Sequence, residues 1–208
     1  SNCLESITNQ TQKNTLEIIM VNDGSTDSSM EKISKFNSLK IKLLNVEKNS
    51  GPATARNLGI TASTGKYLYF LDADDELDTC TFEKFNKTLK EKNFDVIFSD
   101  KKRMLNSQNL KENNYEYETD KILNNEIIIS LMKKRFFYPH ESHRIFDLTG
   151  KLIKKDLITN NKILFDSELR YLEDECFIWS VLSFVKEAKY IKDQLYTYNV
   201  RHGESSGI

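Results

Sequence analysis

The sequence predicts an α/β domain: a mostly parallel sheet flanked by helices, with a more irregular elaboration towards the C-terminus. Two observations carry this. Over roughly the first hundred residues, short apolar runs alternate with segments of helical periodicity, the pattern of a parallel sheet wrapped by helices. Two of those runs stop at acidic clusters, Asn22-Asp23-Gly24-Ser25 and Asp72-Ala73-Asp74-Asp75. In such sheets ligands bind beyond the carboxyl ends of the strands, where both clusters fall.

Taken in order, Ser1–Gln12 reads as an amphipathic helix through Leu4 and Ile7. Leu16–Val21 is a continuous apolar run, rich in Ile and Val, and predicts a buried strand. The turn and capping residues Asn22–Asp27 end it and open a helix that runs to about Phe36. Ile41–Val46 is the second strand. Gly51–Ala62 is a helix entered through Gly-Pro, with Ala55, Leu58 and Ala62 on one face. Tyr67–Leu71 is the third strand, Phe82, Phe85 and Leu89 mark a helix, and Phe94–Phe98 is the fourth strand.

The second half breaks the alternation. Asn106–Lys121 reads as a polar loop or a weak strand pair through Tyr115 and Tyr117, and Ile122–Lys134 as a helix. Phe136–Arg144 is aromatic and basic, and Lys151–Ile158 is short and amphipathic. Phe177, Ile178, Val181, Leu182 and Val185 form a helical stripe after Glu173-Asp174, and Tyr190–Tyr198 alternates like an edge strand or hairpin. Arg201–Ser206 is a polar tail.

Composition excludes several classes. The 208 residues fit one domain, and 38% hydrophobic content supplies a core. Thirty Lys and Arg against 31 Asp and Glu leave a net charge of −1, which gives no bulk attraction to nucleic acid. Cys3, Cys80 and Cys176 are few, odd in number and widely spaced, so they suggest a reducing compartment and no disulfide framework. No run approaches the roughly 18 apolar residues of a spanning helix, and no signal peptide opens the chain.

Each polar cluster has a chemical and a plain reading. Asp72, Asp74 and Asp75 repel one another after an apolar strand, a cost that a divalent cation or a hydrogen-bonding ligand relieves; the plain alternative is a solvated loop capping the next helix. Asp23 has the acceptors to meet a nucleobase or ribose, or sits in an ordinary strand-to-helix turn. Arg56, one turn inside the Gly-Pro helix, suits a phosphate or neutralises the acidic clusters. Glu173-Asp174-Glu175 either favours the helix dipole or offers a general base to a cleft.

The order of VNDGSTD, SGPATARNLGI, KYLYFLDADDEL and LEDECF resembles the family 2 glycosyltransferases with their nucleotide-binding, Rossmann-like GT-A fold. The stretch GKLIKKDLI…ILFDSEL…LEDECF looks like the acceptor side of bacterial members that build surface polysaccharides. The resemblance implies an inverting transferase moving a sugar from a nucleotide-sugar donor, UDP-linked before other nucleotides, to a hydroxyl of a glycan or lipid-linked acceptor. Residues 1–104 would form the donor half and 105–208 the acceptor and base half of one domain.

By position the resemblance implies that Asp23 contacts the base or ribose and that Arg56 lies near the base and phosphates. Asp72 and Asp74 would hold Mn²⁺ or Mg²⁺, with Asp74 the more direct ligand. Asp174 would be the catalytic base, Arg201 and His202 would close over the diphosphate, and Lys151 would lie near the acceptor. Phe136, Phe137, Tyr138, His140 and His143 are candidate acceptor contacts or core residues.

The resemblance also implies a cytoplasmic location, at or near the inner membrane face, and a further apolar strand with a Pro-x-Tyr-Asn-type turn; neither precedes Ser1. The alternative is therefore a truncated, non-catalytic module that only binds nucleotide. A phosphatase of the Asp-x-Asp nucleophile type ranks low, because that motif belongs on the first strand and here comes late.

Overall fold

A computed structural model describes residues 2–36, 39–105, 108–109, 117–138 and 144–200. The first hundred residues follow the expected alternation. Helix α1 (Asn2–Thr8) leads through a short 3₁₀ turn to β1 (Ile18–Asp23), α2 (Ser29–Ser34), β2 (Ile41–Val46) and α3 (Gly51–Ala62). There follow β3 (Tyr67–Tyr69), the two-residue β4 (Glu76–Leu77), α4 (Thr81–Glu91) and β5 (Val96–Leu105). The α/β class and the helix-flanked layout are as the sequence predicts.

The pairing is mixed where the sequence suggested mostly parallel strands. β1 and β2 are parallel and in register from Ile18 opposite Ile41 to Asp23 opposite Val46. The larger sheet has the order β3-β8-β5-β9-β4, with β8 (Lys151–Lys154) antiparallel to both β3 and β5. β9 (Glu187–Val200) runs parallel to β5 and antiparallel to β4. These antiparallel pairs join strands distant in the chain, so the repeating strand-helix pattern of the first hundred residues does not reach them.

Three further readings are corrected. The segment read as a helix from Ile122 begins as a strand, β7 (Lys121–Asn124), pairing antiparallel with β9. Helix α5 (Asn125–Phe137) starts after it, where the Asn124 side chain accepts the Ile127 amide. Strand β9, read as an edge or hairpin, is interior, flanked by β5 on one side and by β4 and β7 on the other. Its alternating pattern reflects partial solvation of one face, which central antiparallel strands share with edges. β5 runs past Phe98 through Lys101, Lys102 and Arg103, because β9 supplies main-chain partners along that whole stretch. β6 (Gln108–Asn109) extends β5 by a short antiparallel pair.

The main core lies where α7 (Glu173–Leu182) and α6 (Lys155–Asn160) cover the larger sheet. Ile153, Phe177, Ile178, Val185 and Ala188 are fully enclosed there, and Phe165 stacks on Phe177 with centroids 3.8 Å apart. Lys151 is buried in this region with its ammonium 5.7 Å from the Phe98 ring centre, so it is a core residue and not one facing a cleft.

Among the described residues β1 pairs only with β2, and β3 only with β8. Between the two sheets lies a cleft of about 920 Å³ lined by Leu16–Asn22 on one side and Tyr67–Ala73 on the other, with Cys3, Leu4 and Ile7 of α1 also at its wall. The Glu17 carboxylate clasps one end by accepting the amides of Thr64 and Gly65. The acidic motifs lie at the other.

Candidate functional site

Three chain segments converge at the carboxyl ends of β1 and β3. The first is the Asn22–Ser25 turn. Asn22 Oδ1 accepts the Ser25 amide, and Gly24 adopts φ 71° with the Asn49 backbone so close that a Cβ would meet its nitrogen at 2.8 Å. Only glycine fits both conditions. The turn aims Asp23 at the start of α3, where its two carboxylate oxygens accept the amides of Ser50 and Gly51, each at 2.8 Å. Asp23 thus partners the start of a helix distant in sequence, which neither reading of it named: its charge satisfies amides that α3 leaves open.

The second segment is the acidic turn after β3. Its carboxylates, alike in sequence, divide into three environments. Asp72 is paired: its Oδ1 accepts from Arg56 Nη2 at 3.2 Å. Asp74 is exposed, and its carbonyl accepts the Asn199 side-chain amide. Asp75 is buried, at 1% exposure, with one oxygen accepting the Tyr196 hydroxyl and the other the Asn199 amide. Burial, with the neighbouring Asp74 and Asp72 charges, pushes the Asp75 carboxyl up to about 6, although both hydrogen bonds oppose the rise. Tyr196, also buried, is pushed well above the ordinary phenol range, first by burial. Asp75 and Tyr196 thus anchor the turn, with Asp72 at the cleft wall and Asp74 exposed beside it.

The third segment is the entry to α7. Arg56 Nη1 donates to Glu173 Oε1 at 2.9 Å, so one guanidinium bridges the acidic turn and the base-candidate helix. The guanidinium also lies 5.4 Å from the Phe165 ring centre. Asn57, next to Arg56, exchanges two hydrogen bonds with the Phe165 backbone. Asp174 follows Glu173 with one oxygen on the Glu175 amide at 2.8 Å. Its other oxygen is not engaged among the described residues, and the side chain is partly exposed. Arg135 and Trp179 donate to Glu175, which is thereby occupied.

The Arg56 guanidinium joins Asp72 to Glu173, the residue before Asp174, and Arg56 and Asp72 line the cleft end; Asp23 holds the start of the helix that carries Arg56, and Asp74 lies two residues beyond Asp72. Arg201, His202, His140, His143 and Tyr115 lie outside the described residues. Phe136, Phe137 and Tyr138 are exposed at the end of α5 and are not core. Sequence reasoning named Glu173 and Asp75 within their acidic clusters without a separate role for either, and missed Tyr196 and Asn199. For Asp75 the signal was there, since three like charges in four residues force at least one into a separate environment. Among the described residues no group of three or more His, Cys, Asp or Glu is disposed to hold a metal ion by itself. Also among them, no helix is long and apolar enough to cross a membrane.

A sequence model described as "Glycosyl transferase family 2" matches residues 1–158. The glycosyltransferase GlyG of Streptococcus pneumoniae serotype 4 is 31% identical over 206 residues, covering 97% of this chain and 66% of its own length. GlyA of the same organism is 30% identical over 217 residues, covering 99% of this chain and 29% of its own length. The crystal structure of S. aureus TarS 1-349 in complex with UDP-GlcNAc superposes with a TM-score of 0.81 at 25% identity, over 99% of this chain and 56% of that one. The chain thus spans from under a third to about two thirds of the length of these relatives.

Proposed function

The chain belongs to glycosyl transferase family 2, and on that premise we propose that it forms the donor-binding and catalytic part of an inverting, metal-dependent enzyme. The enzyme transfers a sugar from a nucleotide-sugar donor to a hydroxyl of a glycan or lipid-linked saccharide. Residues 1–104 serve the donor and 105–208 the acceptor. The observation that carries the reading is the Arg56 bridge, which sets an acidic turn and a free carboxylate oxygen of Asp174 around one cleft end. The TarS relative holds UDP-GlcNAc in its crystal, which makes a UDP-linked sugar the first donor to try.

Asp72 and Asp74 fit Mn²⁺ or Mg²⁺: such ions take one or two carboxylates and complete their shell with water and substrate phosphate, so a closed cage is not required. When bound, the cation neutralises charge developing on the departing nucleoside diphosphate. Arg56 adds a second positive centre to the same end. Asp23, while capping α3, borders the nucleoside side. Asp174 accepts the proton of the acceptor hydroxyl as that oxygen attacks the anomeric carbon, and a single displacement inverts the configuration. The setting is cytoplasmic, with lipid-linked acceptors at the membrane face.

The test is thermal stabilisation against nucleoside diphosphates and sugar nucleotides, with manganese or with chelator. A ligand that binds the folded state alone adds roughly 2.7 kcal/mol at a hundredfold excess over Kd. A manganese-dependent shift with one nucleotide, and release of that nucleotide from its sugar, are expected. Binding without release or transfer favours the non-catalytic nucleotide-binding module. No shift with any member of the panel sinks the donor-site reading.

A further inference from the structure

We propose that Glu173 is a positioning residue: it seats the helix that carries Asp174 onto Arg56, and through Arg56 onto the acidic turn. The inference rests on the reading of Asp174 as the base.

The entry to α7 is strained and weakly packed. Leu172 adopts φ 62°, a region that residues other than glycine rarely occupy, and such backbone persists only when its surroundings hold it there. The Leu172 side chain is exposed, so its own packing does not hold it. Glu173 differs. Its side chain is 12% exposed, and Oε1 accepts from Arg56 Nη1 at 2.9 Å. Asp72, the other partner of that guanidinium, is 40% exposed at its side chain and sits at 3.2 Å. The less solvated and shorter of the two pairs is the one to α7, and screening weakens it less.

The two sides of the contact are unequal. Helix α3 is fixed at its start by Asp23 and at Asn57 by the paired bonds to Phe165, while the Arg56 guanidinium also rests over the Phe165 ring. The Glu173–Arg56 bond therefore transmits the place of α3 to the first turn of α7. Asp174 is the next residue, and among the described residues its carboxylate bonds only to the amide of Glu175 on the same helix. Among the described residues no group outside α7 contacts that carboxylate directly, so its place follows the seating of the helix. A displacement of about 1 Å at such a group costs on the order of 10²-fold in rate.

Glu173→Ala and Glu173→Gln, with Asp174→Asn alongside, test this in the full chain. Three quantities are read: hydrogen-exchange protection of the Cys176 amide, which donates to the Leu172 carbonyl at 3.0 Å; Kd for UDP with Mn²⁺; and turnover of UDP-GlcNAc. Protection of β5 amides in the same samples reports whether the fold is intact. Glu173→Ala is expected to lower Cys176 protection at least tenfold with β5 unchanged, to lower kcat at least tenfold, and to leave the UDP Kd within twofold. Glu173→Gln keeps an oxygen that accepts from Arg56, and restores both protection and most of kcat. Unchanged Cys176 protection in Glu173→Ala overturns the proposal, and it is read without turnover, so it decides for any donor. A Gln variant as impaired as Ala also overturns it, because the charge would then act in the chemistry itself. Full turnover in Asp174→Asn is a separate result: it removes the base assignment, while the protection data still decide whether Glu173 seats α7.

Discussion

Arg56 on α3 and Glu173 at the start of α7 are 117 residues apart in the chain and 2.9 Å apart in the fold. The guanidinium between Glu173 and Asp72 is one of the points where the two halves of the sequence meet chemically. Arg56→Ala would leave Glu173, with a side chain 12% exposed, carrying a charge without its partner. Removing one member of a partly enclosed charged hydrogen bond costs about 1–3 kcal/mol. A lower urea midpoint with an unchanged m-value is the expected result; an unchanged midpoint would make the bridge incidental.

Asp174→Asn keeps the shape of the side chain and removes its ability to accept a proton. Transfer is expected to fall by about 10²–10⁴-fold. Donor affinity, measured by titration of the sugar nucleotide with manganese, should stay within about twofold because no donor contact is assigned to Asp174. Equal losses in affinity and turnover would place Asp174 in the donor site instead.

Gly24→Ala puts a Cβ 2.8 Å from the Asn49 nitrogen at a backbone φ of 71°. Strain of this kind costs about 1–3 kcal/mol, and the obstacle is backbone, which cannot swing aside as a side chain can. The melting temperature should drop accordingly. The same change moves Asp23 off the start of α3, so donor-induced stabilisation should shrink as well.

Tyr196→Phe takes away the hydroxyl donated to Asp75 inside the protein. The carboxyl that remains is 1% exposed and keeps only the Asn199 amide among the partners described for it. Loss of about 1–3 kcal/mol in unfolding free energy is expected. A neutral result in chemical denaturation would show that Asp75 needs no phenol to sit where it does.

Two of the three thiols, Cys176 and Cys3, should label in a fixed order. Cys176 is exposed. Cys3 is pushed up to about 12, first by burial and then by the charges of Asp75, Asp74 and Asp72. A raised thiol keeps its proton at pH 8, and the thiolate is the reactive form. Iodoacetamide at that pH should modify Cys176 first and Cys3 only on unfolding, read by peptide mass. Cys3 reacting as fast as Cys176 would contradict the placement of α1 against the acidic turn.

The parts of the fold that sequence made legible are those governed by local rules. Gly51–Ala62 was read with its observed ends because Gly-Pro entry and apolar spacing are properties of the segment itself. Ile41–Val46 was equally local. β7 and the interior place of β9 were not legible, since both depend on which strands lie alongside, and four residues such as Lys121–Asn124 carry no period of their own. At the site, position in the chain pointed to Asp23, Asp72, Asp74 and Asp174. It offered Arg56 as a cation that neutralises the acidic clusters, but was silent on which two carboxylates it bridges and on Asp75 turning inward, because those are contacts between distant segments.

Among the described residues, the facing edges of β1 and β3 carry main-chain amides and carbonyls that no described strand uses, and they border an apolar wall. Such edges accept an extended segment through main-chain hydrogen bonds alone, so amide exchange along Ile18–Asp23 and Tyr67–Tyr69 reports whether one is seated between them.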